Sequence, residues 1–313
     1  MITMDRSEIR YSDCSIVIPA YNEEASIGKL LIEILELSLF DEIIVVNDGS
    51  TDSTKKIVEE IPNIILINNR VNLGNGASVK KGLMRATKEY VVLMDADGQH
   101  PPNRIQQLFK HANGNQYDLV VGSRKNNKNV SKIRCIGNCI FKSFSSYLAG
   151  ERIEDLTSGF RIFRRSAVMK TIHLFPKRYS YPTTSILAML ALGYTIGYLP
   201  ISEIKDRRKG KSGINPIKDF FRFIKIMLRI AIVFSPAKVF MPLAVIALIS
   251  GMLNIGYTIY SQQNIQDLGV ILIIMAFLVA VFAVLGEQIA RIRIEIGVAV
   301  ANEMKENGIK KKD

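Results

Sequence analysis

The sequence contains no tryptophan and only three cysteines among its 313 residues. Cys135 and Cys139 form a C-x-x-x-C spacing without a histidine or a further cysteine nearby, so a zinc site is not expected. Three thiols without a pairing framework are typical of a reduced protein that faces the cytosol. No apolar run precedes Cys14, so we also expect no signal peptide.

Acidic residues are scarce in the two segments that carry most of the net charge of +12. Residues 124–142 hold six basic and no acidic side chains, and residues 205–229 hold nine basic and two acidic ones. The remainder is nearly neutral, which argues against the general basic coat of a nucleic-acid-binding protein. Two local basic zones instead predict anionic partners at two places.

Short apolar runs alternate with helical patterns in the N-terminal half, which predicts a doubly wound, mainly parallel α/β sheet. The predicted strands are residues 15–19, 43–48, 64–67, 91–94 and 117–124. Polar residues follow the first four of these strands, and parallel strands bring such ends to one edge of the sheet. These polar stretches are Tyr21 to Glu23, Asp48, Asn72 to Gly76, and Asp95 to Gln99.

The fourth strand is followed by Asp95-Ala96-Asp97-Gly98-Gln99. Two neighbouring aspartates repel each other unless a cation lies between them, and oxygen ligands suit Mg or Mn. If the strand continues to Asp97, both carboxylates share one face, and Gln99 adds an amide oxygen at the same spacing. A solvated turn is the alternative, but the convergence of polar strand ends favours a metal site.

Four ordered motifs resemble the family 2 glycosyltransferases with a GT-A fold, and more narrowly the dolichyl-phosphate mannose and glucose synthases. The motifs are S-I-V-I-P-A-Y-N-E-E from Ser15, V-V-N-D-G-S-T-D from Val45, N-L-G-N-G-A from Asn72 and D-A-D-G-Q-H-P-P from Asp95. The resemblance covers residues 14–212 and implies a GT-A catalytic domain over residues 1–212.

The resemblance also implies roles for single residues. The first motif, the aspartate of the second and the start of the fourth would hold the nucleotide sugar, at Pro19, Ala20, Tyr21, Glu23, Asp48, Asp95 and Ala96. The metal ligands would be Asp95, Asp97 and Gln99, and Asp97 would also be catalytic. Asp48 can accept a hydrogen bond from a base imide N–H, whereas the alternative role of this residue is helix capping.

The fifth predicted strand ends at Arg124, and residues 131–149 form an amphipathic helix. Its basic residues lack acidic partners, which favours a position at a membrane surface over a core helix. In the polyprenyl-phosphate enzymes, the arginine that ends this strand and an arginine on this helix hold the acceptor phosphate, which implies this catalytic role for Arg124 and Arg134. Asn138 stands where relatives often have serine, and its amide can also donate to phosphate.

Two later segments extend the resemblance. The stretch D-L-T-S-G-F-R from Asp155 resembles a family turn that we interpret as structural support of the site. The stretch R-R-K-G-K-S resembles a family loop that closes over the donor phosphates, which makes Arg207 and Lys211 donor-site candidates. Residues 213–235 then form a predicted interfacial helix with one basic stripe: Lys218, Arg222, Lys225 and Arg229.

Two uncharged runs, residues 239–260 and 268–285, are long enough to span a bilayer, which needs about 20 residues. The loop between them has no lysine or arginine, so we expect both termini, including a basic tail at 288–313, in the cytoplasm of a cell-membrane protein. The helices would contact lipids and offer a surface for homo-oligomerisation, with Gly251 and Gly256 as close-packing positions. This pair resembles the bacterial polyprenyl-phosphate glucosyltransferases.

The combined expectation is an inverting, membrane-bound glycosyltransferase with a divalent metal, Mg or Mn. It would move one sugar from UDP-glucose, UDP-N-acetylglucosamine or GDP-mannose to dolichyl or polyprenyl phosphate, for protein or cell-surface glycosylation. Its partners would be these substrates and membrane lipids, without nucleic acid. One alternative is a transferase that extends a lipid-linked glycan or polysaccharide. Processive synthases of this kind usually carry the motif Q-x-x-R-W, and this sequence contains no tryptophan, which makes the alternative weaker. The other is an inactive membrane scaffold, which the intact Asp48, Asp95 and Asp97 argue against.

Overall fold

The computed structural model describes residues 11–124, 132–177, 181–201, 228–229, 231–261 and 267–309. Within these ranges the side chains of residues 12, 124, 132–138 and 301–309 are not described. Most of the predicted interfacial helix at 213–235 lies outside the described residues, as do Arg207 and Lys211.

The described residues form one seven-stranded sheet in the order β3-β2-β1-β4-β6-β5-β7. The strands are β1 (Cys14–Ala20), β2 (Glu42–Asn47), β3 (Ile64–Asn68), β4 (Tyr90–Leu93), β5 (Leu119–Arg124), β6 (Arg161–Arg164) and β7 (Ile196–Ile201). β6 runs antiparallel to both of its neighbours, whereas the other adjacent strands are parallel. The predicted mainly parallel α/β fold is therefore confirmed, and β6 and β7 are additions to it.

Helices connect these strands and cover the sheet. In the described part of the chain they are α1 (Ile27–Glu36), α2 (Thr54–Glu59), α3 (Asn75–Arg85), α4 (Arg104–Gly114), α5 (Lys132–Ala149), α6 (Arg165–Thr171), α7 (Tyr181–Ala191), α8 (Pro236–Tyr260) and α9 (Asp267–Ile309). Short 3-10 turns lie at Tyr11–Asp13 and Ile172–Leu174.

The strand alternation assigns the two faces of the sheet to different helices. Ile16 and Ile18 of β1 belong to a buried cluster that includes the apolar faces of α1 and α4. Val17 points the other way, where a side chain at Gly82 of α3 would begin 2.2 Å from its Cγ1 atom. Such direct contact between helix and strand needs glycine, and each aliphatic side chain buried here contributes about 1.5–3 kcal/mol. Helices therefore cover both faces and leave the strand ends open.

The chain divides into two compact units. Unit 1 comprises residues 1–143, 152–214 and 297–313, and unit 2 comprises residues 144–151 and 215–296. Unit 1 holds residues 1–143 and 152–212 of the predicted catalytic domain, together with residues 213–214 and 297–313. The last six residues of α5, 144–149, belong to unit 2.

Two helices in the described part of the chain, α8 and α9, are long and apolar enough to cross a membrane. α8 begins three residues before the predicted span, and α9 has 43 residues and continues past the predicted end of the second span at Leu285, so the predicted tail at 288–313 begins as helix. The helix continues because residues 286–309 hold no proline and many good helix formers. Gly251 packs closely on α9, since a Cβ there would lie 2.9 Å from the Gly269 carbonyl oxygen, whereas nothing described lies within 4 Å of such an atom at Gly256.

Candidate active site

A cleft of about 530 Å³ opens at the carboxyl ends of β1, β2 and β4, within unit 1. This edge is where open α/β sheets bind ligands. Eight predicted donor-site and metal-site residues line the cleft: Pro19, Ala20, Tyr21, Glu23, Asp48, Asp95, Ala96 and Asp97. The lining is completed by Asn72, Gly74, Asn75 and Ser78. The polar strand ends therefore converge, as expected.

The loops that follow β1 and β2 are tied to each other along one wall of the cleft. The Asp48 N–H donates to the Ala20 carbonyl at 2.8 Å, and the Glu23 N–H donates to Thr54 Oγ1 at 2.8 Å. Tyr21 lies between these bonds, and its side chain is 44% exposed at the cleft. An exposed ring on a braced loop can stack against a planar ligand group without a rearrangement of the backbone.

Asp48 is 3% exposed and organises the loop after β3. Its Oδ1 accepts hydrogen bonds from Asn69 Nδ2 at 2.8 Å and from the Leu73 N–H at 3.0 Å. Its Oδ2 accepts from the Gly74 N–H at 2.8 Å. A carboxylate has about four acceptor positions, so these described donors leave room for a ligand donor. These bonds go to the segment that leads into α3, whose N-cap residue is Gly74, and not to α2.

Asn69 is a member of this network that the sequence analysis missed. Its amide also donates to Ser78 Oγ at 3.1 Å, and Lys81 Nζ donates to its Oδ1 at 2.5 Å. These contacts fix the orientation of the amide that holds Asp48. The sequence signal for this residue was the pair Asn68-Asn69 at the end of β3. Asn69 lies three residues before Asn72, where the third quoted motif begins.

The acidic pair lies in a turn instead of on a strand. β4 ends at Leu93, although the Met94 N–H still donates to the Val17 carbonyl at 3.1 Å. Asp97 Oδ1 accepts from the Gln99 N–H at 3.0 Å, and Gly98 has a φ of +67°. The expectation of one shared strand face is therefore wrong, because this local side-chain bond bends the chain. Both carboxylates still line the cleft, whereas Gln99 is absent from its described lining.

The absence of a side chain at Gly159 leaves the space in which the Asp95 carboxylate lies. β6 pairs with β4 so that Arg161 lies opposite Leu93, and continuation of this antiparallel register brings Gly159 opposite Asp95. A Cβ atom at Gly159 would lie 2.0 to 2.7 Å from the carboxyl atoms of Asp95. The carboxylate therefore occupies the space of a missing side chain. This contact agrees with the interpretation of the segment at 155–161 as support of the site.

Arg161 is a buried cation behind Asp95. It is 0% exposed, and its guanidinium donates to Ser158 O, to Pro182 O at 2.8 Å and to Ser185 Oγ at 2.7 Å. Burial lowers the pKa of Arg161, and the charges around it, including Asp95, oppose this shift. Burial and the negative charge of Asp95 raise the pKa of Tyr181, whose ring centroid lies 5.9 Å from the guanidinium.

The donor set of the cleft fits a divalent cation. The described residues contain no cluster of three histidine, cysteine or acidic side chains. Asp95 and Asp97, two residues apart in one turn, both line the cleft with their carboxylates. Magnesium-like ions are commonly held by one or two carboxylates together with substrate phosphates and water. A cation at this place would therefore need phosphate oxygens of a ligand to complete its coordination.

The proposed acceptor residues are placed by their backbone. Arg124 is the last residue of β5. Arg134 and Asn138 lie four residues apart on α5, so these two residues share one face of that helix. Their side chains are not described. Their contacts with a phosphate therefore stay predictions, as do those of Arg207 and Lys211.

The doubly wound sheet, with its acidic turn and buried aspartate at the carboxyl edge, is the GT-A fold of nucleotide-sugar transferases. Residues 15–172 match the family model described as Glycosyl transferase family 2, and the chain belongs to this family. Residues 235–292 match a second model, the GtrB C-terminal hairpin. With its two long apolar helices, this match makes the chain a membrane-associated protein.

Several characterised proteins are similar to this chain. The UDP-N-acetylglucosamine–dolichyl-phosphate N-acetylglucosaminyltransferase of Methanococcus voltae is 30% identical over 237 residues, 68% of this chain and 94% of that protein. A dolichyl-phosphate beta-glucosyltransferase of Trichomonas vaginalis is 31% identical over 239 residues, 68% and 72% of the two chains. The Mycobacterium tuberculosis glucosyl-3-phosphoglycerate synthase, solved with Mn²⁺, UDP-glucose and glycerol 3-phosphate, has a TM-score of 0.53 and 20% identity over 69% and 78%, a likeness of fold alone.

Proposed function

We propose that this protein transfers one sugar from a nucleotide sugar to dolichyl or polyprenyl phosphate, with inversion at the anomeric carbon. One observation carries the proposal: Asp48, Asp95 and Asp97 line a single cleft, in a chain that continues into a GtrB-type hairpin. The relatives named for transfer to dolichyl phosphate support the same acceptor class.

The donor would lie along the cleft from β2 to β4. Asp48 presents only acceptor oxygens, so it suits a base with a ring N–H, such as uracil or guanine. Its bonds to the loop before α3 hold it ready for that contact. Asp95 and Asp97 lie at the other end, where the diphosphate would be placed. A divalent ion held there would neutralise the charge that develops on the leaving diphosphate.

The acceptor determines what the protein must supply on the opposite side. A phosphate monoester carries about −1.5 to −2 charges near pH 7, because its second pKa is about 6. It can therefore attack the anomeric carbon without a protein base. It needs cations that bring it into line with the leaving group, which is a task of positioning. Arg124 and Arg134 are the residues that we assign to this task, with Asn138 as a neutral donor.

The reaction would take place at the cytoplasmic face of a membrane, because nucleotide sugars are soluble and the acceptor chain is not. We propose that α8 and α9 both span the bilayer and leave unit 1 in the cytoplasm. Basic residues flank both spans, whereas the loop between the spans has none. The phosphate of the lipid would then reach the enzyme from the membrane surface.

The test is transfer by purified protein in detergent or liposomes. UDP-glucose, UDP-N-acetylglucosamine and GDP-mannose are each offered with a polyprenyl phosphate, and the Asp97→Asn variant is the matched control. We expect one of these donors to give a lipid-linked sugar whose anomeric configuration is opposite to that of the donor. A lack of transfer from all three donors, or retention of configuration, would contradict the proposal.

A further inference from the structure

The end of α5 and the start of α8 satisfy each other's backbone acceptors within unit 2. Tyr147 and Lys238 carry these contacts, and we call this pair the clamp. Lys238 Nζ donates to the Leu148 carbonyl at 2.7 Å, and Tyr147 Oη donates to the Lys238 carbonyl at 2.9 Å. Both donors reach from one helix to the backbone of the other, so the two contacts are reciprocal.

On the α5 side, the clamp meets a helix end. Gly150 follows the helix with a φ of +78°, and its N–H donates to the Ser146 carbonyl at 2.9 Å. The last carbonyls of a helix lack partners in their own helix and attract cations. The Lys238 ammonium is such a cation, because it donates to the Tyr147 carbonyl at 3.3 Å as well as to the Leu148 carbonyl. Ser235 Oγ adds a longer contact to Leu148 O at 3.4 Å.

On the α8 side, the clamp meets a gap in the helix ladder. Pro242 lies inside α8, four residues after Lys238. Proline has no N–H, so it cannot donate to the carbonyl four residues before it. The Lys238 carbonyl therefore lacks its usual partner, and the Tyr147 hydroxyl takes the place of the missing N–H. Tyrosine and proline together form a specific docking point for α5 on the membrane helix.

α9 also contacts the first turn of α8. The Ala237 N–H donates to Glu287 Oε2 at 3.4 Å, and a Cβ at Gly286 would lie 3.2 Å from the Pro236 ring. A carboxylate at a helix N-terminus is favourable. The first turn of α8 is therefore fixed to α9 as well as to α5. The clamp thus ties α5 to the membrane hairpin and not to a single loose helix.

We propose that Tyr147 and Lys238 are positioning residues for the lipid acceptor: they fix the depth of α5 relative to the bilayer. This inference rests on the proposed function. At 1.5 Å per residue, Asn138 and Arg134 lie about 14 and 20 Å along the helix from Tyr147. A membrane-bound phosphate can move along the surface but not far along the bilayer normal. A helix held at a fixed depth therefore meets that phosphate more often than a helix that tilts freely.

The first experiment compares two acceptors. The variants Tyr147→Phe and Lys238→Met are assayed with long-chain polyprenyl phosphate in liposomes and with a short, water-soluble isoprenyl phosphate. Tyr260→Phe is the control, since Tyr260 lies on α8, the helix that carries Lys238, and is 88% exposed. We expect about a fivefold higher KM for the liposome acceptor, the equivalent of one hydrogen bond. The KM of the donor and the kinetics with the short acceptor should not change, and Lys238→Arg should restore the wild-type KM.

The second experiment tests the role of proline. Pro242→Ala returns an N–H that can donate to the Lys238 carbonyl, so Tyr147→Phe should then have less than half of its effect on the KM. Three results would each overturn the inference. They are equal losses with both acceptors, an unchanged KM in the single variants, and an effect of Tyr147→Phe that is as large in the Pro242→Ala background as in the wild type. If the wild-type protein transfers sugar to neither acceptor, the proposed function fails first. If it transfers normally and the variants match it, only the clamp inference fails.

Discussion

Replacement of Gly159 by alanine is the most direct test of how the acidic turn is built. The added Cβ would lie 2.0 to 2.7 Å from the carboxyl atoms of Asp95, whereas non-bonded heavy atoms prefer about 3.5 Å. The carboxylate must therefore move by about 1 Å or rotate away. The backbone at Gly159 does not lie in the left-handed region, so alanine can adopt its conformation. The effect should come from Asp95 and not from backbone strain.

A displacement of about 1 Å at a reacting centre can lower the rate about 100-fold, the equivalent of about 2.7 kcal/mol in the barrier. We expect Gly159→Ala to lower kcat/KM by about this factor and to weaken the response to divalent metal. Overpacking can also cost about 1–3 kcal/mol of stability, so the Tm of each variant must be measured alongside. Gly114→Ala is the matched control, because no described atom lies within 4 Å of the added group.

A double-mutant cycle makes this reasoning refutable. If Gly159→Ala acts by moving Asp95, then Asp95→Asn should lower kcat/KM by much less in the alanine background than in the Gly159 background. Additive losses would show that glycine and aspartate act independently. A folded Gly159→Ala protein with wild-type kcat/KM and metal titration would refute the argument entirely.

Three further predictions concern the metal, the topology and the acceptor. Asp97→Asn should sharply reduce donor turnover and a chelator should mimic it, so full activity in excess chelator would contradict the metal assignment. A cysteine at Gln263 should react with a thiol reagent applied outside intact cells and a cysteine at Lys311 should not; reversed labelling would place unit 1 outside. Arg124→Ala or Arg134→Ala should raise the acceptor KM while donor binding in a titration survives, and the wild-type rate should fall below about pH 6, where the acceptor phosphate becomes protonated.

The N-terminal strands could be predicted because their sequences are continuous apolar runs in a regular alternation with helices. β6 could not, because its sequence Arg161-Ile162-Phe163-Arg164 begins and ends with a charge. Arginine is rarely buried completely, yet Arg161 is, because backbone carbonyls and a hydroxyl accept its hydrogen bonds. Those acceptors come from other parts of the chain, so local sequence does not reveal the burial.

The candidate site was predictable to the extent that it follows from one rule, the meeting of parallel strand ends at one edge of the sheet. That rule brings Asp48 and the acidic turn together. It does not reveal the support of Asp48 by Asn69 or of Asp95 by Gly159, because those contacts depend on loop paths and on the antiparallel insertion of β6. The acceptor residues rest on resemblance, since their side chains are not described.

The turn that replaces the expected strand is the better support for two like charges. On a strand, residues two apart are separated by about 6.6 Å and each side chain keeps its rotamer freedom. In the turn, Asp97 is held by the Gln99 N–H and Asp95 is held in the space at Gly159, so both carboxylates are fixed before a donor arrives. Arg161 supplies a positive charge beside Asp95: burial lowers the pKa of Arg161, and the negative charge of Asp95 opposes that shift. A buried cation on one side and the cleft on the other leave the acidic pair oriented toward the ligand, which is the condition for preorganised binding.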